Sequence, residues 1–224
     1  TIQIATEFGC LIISQDKAHK YEDGRIADFS GVRNQTLNAA TKDWFLIVDS
    51  DEFLTSASAE EIRGIVKNNK EASEPKLFQM PRKLQIDGVI IDHASSYPGY
   101  QPRFFHKPSM DRFARKIHEK IVPKPGVRVD FLKEATIAPV DLDYSAWGEK
   151  FSYYLNIEKE RSREAKKFNL FKSALGSLKG ALSRIYKVLR YTLFYKGTKM
   201  PLRFEIMLIR YSLSLSGIFL LTLI

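Results

Sequence analysis

Three carboxylates follow a short apolar run in Asp43-Trp44-Phe45-Leu46-Ile47-Val48-Asp49-Ser50-Asp51-Glu52-Phe53. Side chains alternate along a strand, so Asp49 and Asp51 point to one side if the extended geometry persists. Two carboxylates aimed at one spot repel each other unless a cation sits between them. Hard divalent ions such as Mg²⁺ or Mn²⁺ take oxygen ligands, and often bind one or two carboxylates plus substrate phosphates. The chemistry expected of this pattern is a metal bridging Asp49 and Asp51 to a diphosphate. The competing reading is that acids end strands as turn formers or as caps for the next helix.

A second candidate lies upstream, in Asp28-Phe29-Ser30-Gly31-Val32-Arg33-Asn34-Gln35. Ser30 reads as the cap of a helix running through Ala40, which puts Arg33 and Asn34 in its first turn. Helix N-termini favour anions, and arginine offers a forked, permanently charged grip on phosphate. The alternative is a solvated surface arginine. Arg103, in Gln101-Pro102-Arg103-Phe104-Phe105, has aromatic neighbours. It reads either as half-buried and aimed at a cleft or as snorkelling to water. His93 and His106 are isolated and receive no role. No His-x-x-x-His spacing is present and Cys10 is the single cysteine, so a zinc site and a disulfide scaffold are excluded.

The elements that must position these residues alternate. Cys10–Ser14 reads as a buried strand and Trp44–Val48 as another. Ser58 and Glu61 read as a capping box. Residues 77–86, 88–91 and 103–106 read as strands, with turns at Asp87-Gly88 and Pro98-Gly99. The fold class expected is α/β, with a mainly parallel sheet flanked by helices. Ligands in such sheets sit at the carboxyl ends of the strands, where Asp49 follows Val48. A boundary falls near Ser145, dividing 1–144 from a helical region, 145–224.

Arg33-Asn34, Leu37, Ala40, Asp43-Trp44 and Asp49-x-Asp51-Glu52, in this order, resemble the core signature of family 2 glycosyltransferases of the GT-A fold. The nearest subgroup is the bacterial lipopolysaccharide-core and cell-envelope sugar transferases. Arg82, Gly88, Gln101-x-Arg103-Phe104-Phe105 and His118-Glu119 follow the same order, and the resemblance covers roughly residues 1–155. It implies an inverting, metal-dependent transfer from a nucleotide-sugar donor to a lipid-linked or envelope glycan acceptor. Arg33, Asn34, Asp49 and Arg103 would bind the donor, and Asp49 and Asp51 the metal, Mg²⁺ or Mn²⁺. Glu119 would take the proton from the acceptor hydroxyl, with His118 orienting it or touching a phosphate. The competing reading pairs Glu119 with Arg115 or Lys116. The resemblance further implies that a first strand, a helix and a second strand precede Thr1, with Thr1–Ala5 in the helix that follows. Ile137–Asp141 departs from the family pattern, because relatives often carry a histidine there near the metal.

Composition bounds the alternatives. The chain has 224 residues, 35 Lys+Arg against 26 Asp+Glu, and 44% hydrophobic residues. That is enough to bury a core, which excludes disordered and low-complexity classes. The net charge of +9 favours anionic partners. Basic residues concentrate between Lys159 and Arg210. Within that stretch Phe168–Tyr195 reads as a basic amphipathic helix with Leu170, Phe171, Leu175, Leu178, Leu182, Ile185, Leu189 and Leu193 at helical spacing. The expected partner is an anionic membrane surface, the expected location the cytoplasmic inner face of the cell membrane, and nucleic acid is not expected for want of a binding motif. A helix packed on its own domain is the alternative. Leu213–Ile224 is too short to cross a bilayer. The other functions weighed are an inactive transferase-like module that binds membranes and a GT-A nucleotidyltransferase.

Overall fold

The computed structural model describes residues 2–24, 26–68, 76–115, 119–163 and 166–223. In chain order the elements are α1 (Ile2–Glu7), α2 (Phe29–Ala39), β1 (Trp44–Leu46), β2 (Phe53–Leu54), α3 (Ser56–Asn68), β3 (Lys76–Ile86), β4 (Val89–Ile90), β5 (Gly99–His106), β6 (Met110–Ala114), β7 (Lys120–Pro123), β8 (Arg128–Phe131), β9 (Thr136–Pro139), α4 (Tyr144–Arg163), α5 (Lys167–Phe194) and α6 (Leu202–Leu221). The class is mixed α/β. The chain divides into two units, one of residues 1–48, 59–80 and 101–134, the other of 49–58, 81–100 and 135–224.

In the first unit β1 runs antiparallel to β5, with Trp44 opposite His106 and Leu46 opposite Phe104. β8 runs parallel to the first half of β3. β6 and β7 form a separate antiparallel ribbon. The core is Leu37 of α2, Ile47, Leu77 and Phe105 of the sheet, and Met110 and Phe113 of β6. Trp44 stacks on Phe104 at 4.8 Å between ring centres. Cys10–Ser14 is not the buried strand expected: it is irregular and largely exposed, Leu11 at 74%. An apolar run becomes a buried strand only when another strand takes up its hydrogen bonds, and none among the described residues pairs with it.

In the second unit β3 continues, pairing parallel with β9 from Arg82 opposite Thr136 to Gln85 opposite Pro139. β2 pairs antiparallel with β9, and β4 with the end of β3. Asp87 and Gly88 both have positive φ, 49° and 80°, as a two-residue hairpin turn of type I′ requires. The sheet pairing is therefore mixed rather than mainly parallel. Parallel neighbours need a crossover of a dozen residues or more, whereas β3, β4 and β5 follow one another without a helix. The start of α3 also differs from expectation. Thr55 and Ser58 make the reciprocal box, with the Ser58 N–H donating to Thr55 Oγ1 at 3.1 Å and the Thr55 N–H to Ser58 Oγ at 2.9 Å. In the first unit Glu61 instead accepts the backbone N–H groups of Lys133 and Glu134.

Helices α4, α5 and α6 pack together, α6 against both others. Trp147 meets Phe204 edge-on at 5.1 Å, and Phe151 stacks on Tyr211 at 5.0 Å. Ala174 and Ala181 on α5 are fully buried, and the Ser216 hydroxyl of α6 donates to the Ala174 carbonyl at 3.0 Å. Small residues let the two backbones approach. The first turn of α6 carries Glu205, 0% exposed. Its carboxylate accepts the Ser95 N–H at 2.7 Å, the Tyr191 hydroxyl at 3.0 Å and the Ser95 hydroxyl. Arg184 donates to the same Ser95 oxygen at 3.1 Å. A buried acceptor that satisfies three donors is costly to remove, because each orphaned polar group costs about 1–3 kcal/mol. Glu205→Ala is expected to lower unfolding free energy by about 3 kcal/mol, measured by urea denaturation. A loss below about 1 kcal/mol would show that water replaces the carboxylate.

Candidate functional site

The residues singled out in the sequence fall in two places. In the first unit, Asp28 caps α2: its carboxylate accepts the Gly31 N–H at 2.9 Å and the Ser30 hydroxyl at 2.7 Å. The helix thus begins before the expected cap at Ser30. Arg33 lies in the second turn, beyond the unsatisfied N–H groups of the helix end. Gly31 has no side chain to spare, since a Cβ there would sit 2.2 Å from the His19 ring.

Arg33 Nε approaches Glu119 Oε1 at 2.5 Å, in an ion pair 27% and 19% exposed on the two sides. The Arg33 guanidinium lies 6.0 Å from the centre of the Phe113 ring. Both flank a cavity of about 160 Å³ whose wall continues along Phe45, Leu46, Ile47 and Val48 at the carboxyl end of β1. At about 30 Å³ per water the cavity holds a few waters, or one phosphate-sized group. Asn34 uses both ends of its amide on β6, donating to the Phe113 carbonyl at 3.0 Å and accepting the Phe113 N–H at 2.8 Å. It thereby fixes the ring beneath Arg33. Arg103 is 8% exposed and donates through Nε to Gln101 at 2.9 Å. It does not line this cavity. His118, with Lys116, lies outside the described residues.

Asp49 and Asp51 belong to the second unit, in a turn closed by the Glu52 N–H donating to the Asp49 carbonyl at 2.9 Å. Glu52, the third acid, has a fully buried side chain and an ion pair with Arg82 at 2.8 Å. β2 follows directly and pairs with β9. The turn is therefore held from its far side, by one sealed carboxylate and one strand pairing. Asp51 stands at its exposed tip and Asp49 is half-buried. The reading of the acids as turn formers describes Asp51, exposed in the turn, and Glu52 instead makes a buried ion pair.

Among the described residues no three His, Cys, Asp or Glu side chains gather as a metal cage. The donors offered by the turn are two hard carboxylates. That set fits Mg²⁺ or Mn²⁺ of the kind whose shell is completed by substrate phosphates and water. Asp49 and Asp51 would hold such an ion, whose chemistry is to neutralise charge on a leaving diphosphate.

Sequence reasoning placed Arg82 in the family's order and gave it no task, and it left His93 without one. In the structure Arg82 anchors the acid turn. His93 packs beside Tyr191 and Tyr195, ring centres 6.2 and 5.2 Å away. A buried acid three residues past Asp49 and a cation on β3, one strand beyond β9, gave no local signal, since their partnership spans 30 positions.

No family model matches the chain. A stretch of 121 residues, 54% of the chain, is 31% identical to a TPR repeat-containing protein of Synechococcus elongatus. The match covers 26% of that protein, so the chain spans about a quarter of the relative's length.

Proposed function

We propose that the chain is an inverting glycosyltransferase with a GT-A-like sheet, moving a sugar from a nucleotide-sugar to a lipid-linked or cell-envelope glycan at the cytoplasmic face of a membrane. The observation that carries this reading is the acid turn. Glu52 is buried and ion-paired with Arg82, which ties the turn to the protein on that side. Asp51 is exposed in the turn before β2, where a divalent ion and a diphosphate have access. A general electrostatic clamp of this kind lowers the barrier by stabilising the departing nucleoside diphosphate. The base for the acceptor hydroxyl is assigned to Glu119, whose carboxylate is held in place by Arg33; a carboxylate suffices when it reaches the hydroxyl.

Membrane association is supported by α5. Phe171, Leu175, Leu178, Leu182, Ile185, Leu189 and Leu193 are all exposed. They recur every three or four residues on a helix whose other side packs with α6. Lys172, Lys179 and Arg190 stand among them. Apolar residues in such a stripe enter the headgroup boundary together, and cations beside them are drawn to anionic lipid. α6 is long and apolar enough to cross a bilayer by length and composition, with 22% of its most apolar window buried inside the protein.

Three outcomes are expected. Asp51→Asn abolishes Mn²⁺-dependent release of nucleoside diphosphate from a panel of uridine- and guanosine-diphosphate sugars, while the thermal midpoint stays put; loss of fold together with activity would return the turn to a purely structural role. Glu119→Gln lowers turnover by about 10²–10⁴-fold with donor binding by calorimetry unchanged, and retained turnover removes Glu119 from the reaction. The full chain pellets with anionic vesicles at low salt and is released only in part at high salt, because screening acts on charges and not on buried leucines. A chain that stays in the supernatant at low salt would show that the stripe of α5 does not meet lipid.

A further inference from the structure

We infer that the second unit carries a binding site for the phosphate headgroup of a membrane lipid, in the cavity beside α5. The cavity has a volume of about 440 Å³. Its walls bring together four cations, Arg82, Lys83, Lys187 and Arg190, and one carboxylate, Asp92. Two of the cations are matched: Arg82 by Glu52 at 2.8 Å, and Lys83 more loosely by Asp92 at 3.8 Å. Lys187 and Arg190 have no carboxylate partner among the described residues. They stand three positions apart on α5, so they share a face.

Both are positioned rather than left to wander. Lys187 Nζ donates to the Ser95 carbonyl at 3.2 Å and the Tyr97 carbonyl at 2.9 Å. These neutral acceptors hold the ammonium and leave its charge. The Arg190 guanidinium lies 5.4 Å from the centre of the Tyr195 ring, a cation–π contact that orients the planar fork. The remaining wall is aromatic and apolar. Burial pushes the Tyr97 and Tyr191 hydroxyls up from their ordinary titration range, so neither adds negative charge. A cavity with two fixed, unmatched cations over a neutral floor recognises an anion with several acceptor oxygens, and the arginine fork suits phosphate.

The source of that phosphate is argued from the helix. Tyr186, Leu189 and Leu193 flank Lys187 and Arg190 and are 62%, 56% and 70% exposed. A headgroup held by the two cations has its chains leaving along this apolar stripe. A free phosphate or a nucleotide makes no use of it. The inference shares the stripe with the membrane reading above and does not depend on sugar transfer.

The test uses the full chain, calorimetry, and two probes: dihexanoyl phosphatidic acid below its micelle concentration, and inorganic phosphate. The lipid phosphate is expected to bind at least about tenfold more tightly than inorganic phosphate, since its chains add buried apolar area. Arg190→Gln is expected to weaken the lipid probe by about tenfold, the worth of one charged hydrogen bond, and adding Lys187→Gln to weaken it further. Lys166→Gln with Lys167→Gln removes the same charge at the exposed start of the same helix and is expected to change affinity less than about twofold. Equal losses in the two double variants would reduce the site to diffuse attraction and overturn the inference. Equal affinity for the two probes would make it a site for free phosphate and overturn the lipid assignment. Lys187 also supports the 95–97 loop, so Arg190→Gln alone decides the matter if the double variant fails to fold. Asp51→Asn is expected to leave lipid-phosphate binding unchanged, so failure of the transferase reading and failure of this one are separable.

Discussion

Glu205 is the constraint on which the second unit depends. A carboxylate with no exposed surface must find donors inside the protein, and here they come from two distant segments, Ser95 and Tyr191. Among the described residues no cation pairs with it directly; Arg184 reaches it through the Ser95 hydroxyl. The charge is therefore distributed over a short relay rather than cancelled by a contact pair. Its place in the first turn of α6 adds a favourable interaction with the helix N-terminus. The same requirement limits how α6 behaves at a membrane. Its length and hydropathy suit a bilayer, yet its first turn is committed to partners in α5 and in the loop before β5. Exposing that end to hydrocarbon would strand the carboxylate.

The arrangement also explains how α5 serves three purposes. Ala174, Ala181 and Val188 form a narrow face that lets α6 come close. Tyr191, on the same side, reaches Glu205. Lys187 and Arg190 turn toward the 440 Å³ cavity. The long apolar side chains then occupy what remains, and they face outward. Burying one leucine side chain is worth about 1.5–3 kcal/mol, so leaving seven large apolar side chains exposed along one helix is a large deficit for a surface that meets only water. Charges interspersed along the stripe reduce the tendency of such a face to self-associate.

Much of the local structure was legible in the sequence. The limits of α5 fall within a residue of those expected from the spacing of its leucines. The Asp87-Gly88 turn is where turn chemistry puts it, and the apolar run from Trp44 forms β1, which stops at Leu46 rather than Val48. Caps were harder, because several good capping residues stand close together. Asp28 precedes Ser30, and Thr55 precedes Ser58; the earlier residue wins in both cases because its side chain reaches an N–H that the later one does not. The mixed sheet was misread for a different reason. Alternating apolar runs describe strands without fixing their direction, and the length of the connections decides it. The role of Glu205 is not visible in the sequence, since its donors lie 14 and 110 positions away. Long-range polar pairing of that kind leaves no periodic trace.

Arg82 connects the parts of the second unit that matter most for chemistry. Its guanidinium has five N–H donors in a rigid fork, and the Glu52 pair engages it at one edge. Arg82 also lines the cavity shared with Lys187 and Arg190. A phosphate drawn into that cavity would compete with Glu52 for the same cation. Because the Glu52 side chain is fully buried, weakening its pair with Arg82 costs stability that water does not restore. The pair therefore resists displacement, and Arg82 is better suited to add field to the cavity than to be captured by it. Lys187 and Arg190 face no such competition, which is why anion binding falls to them. The buried pair with Glu52 also ties the acid turn to β3.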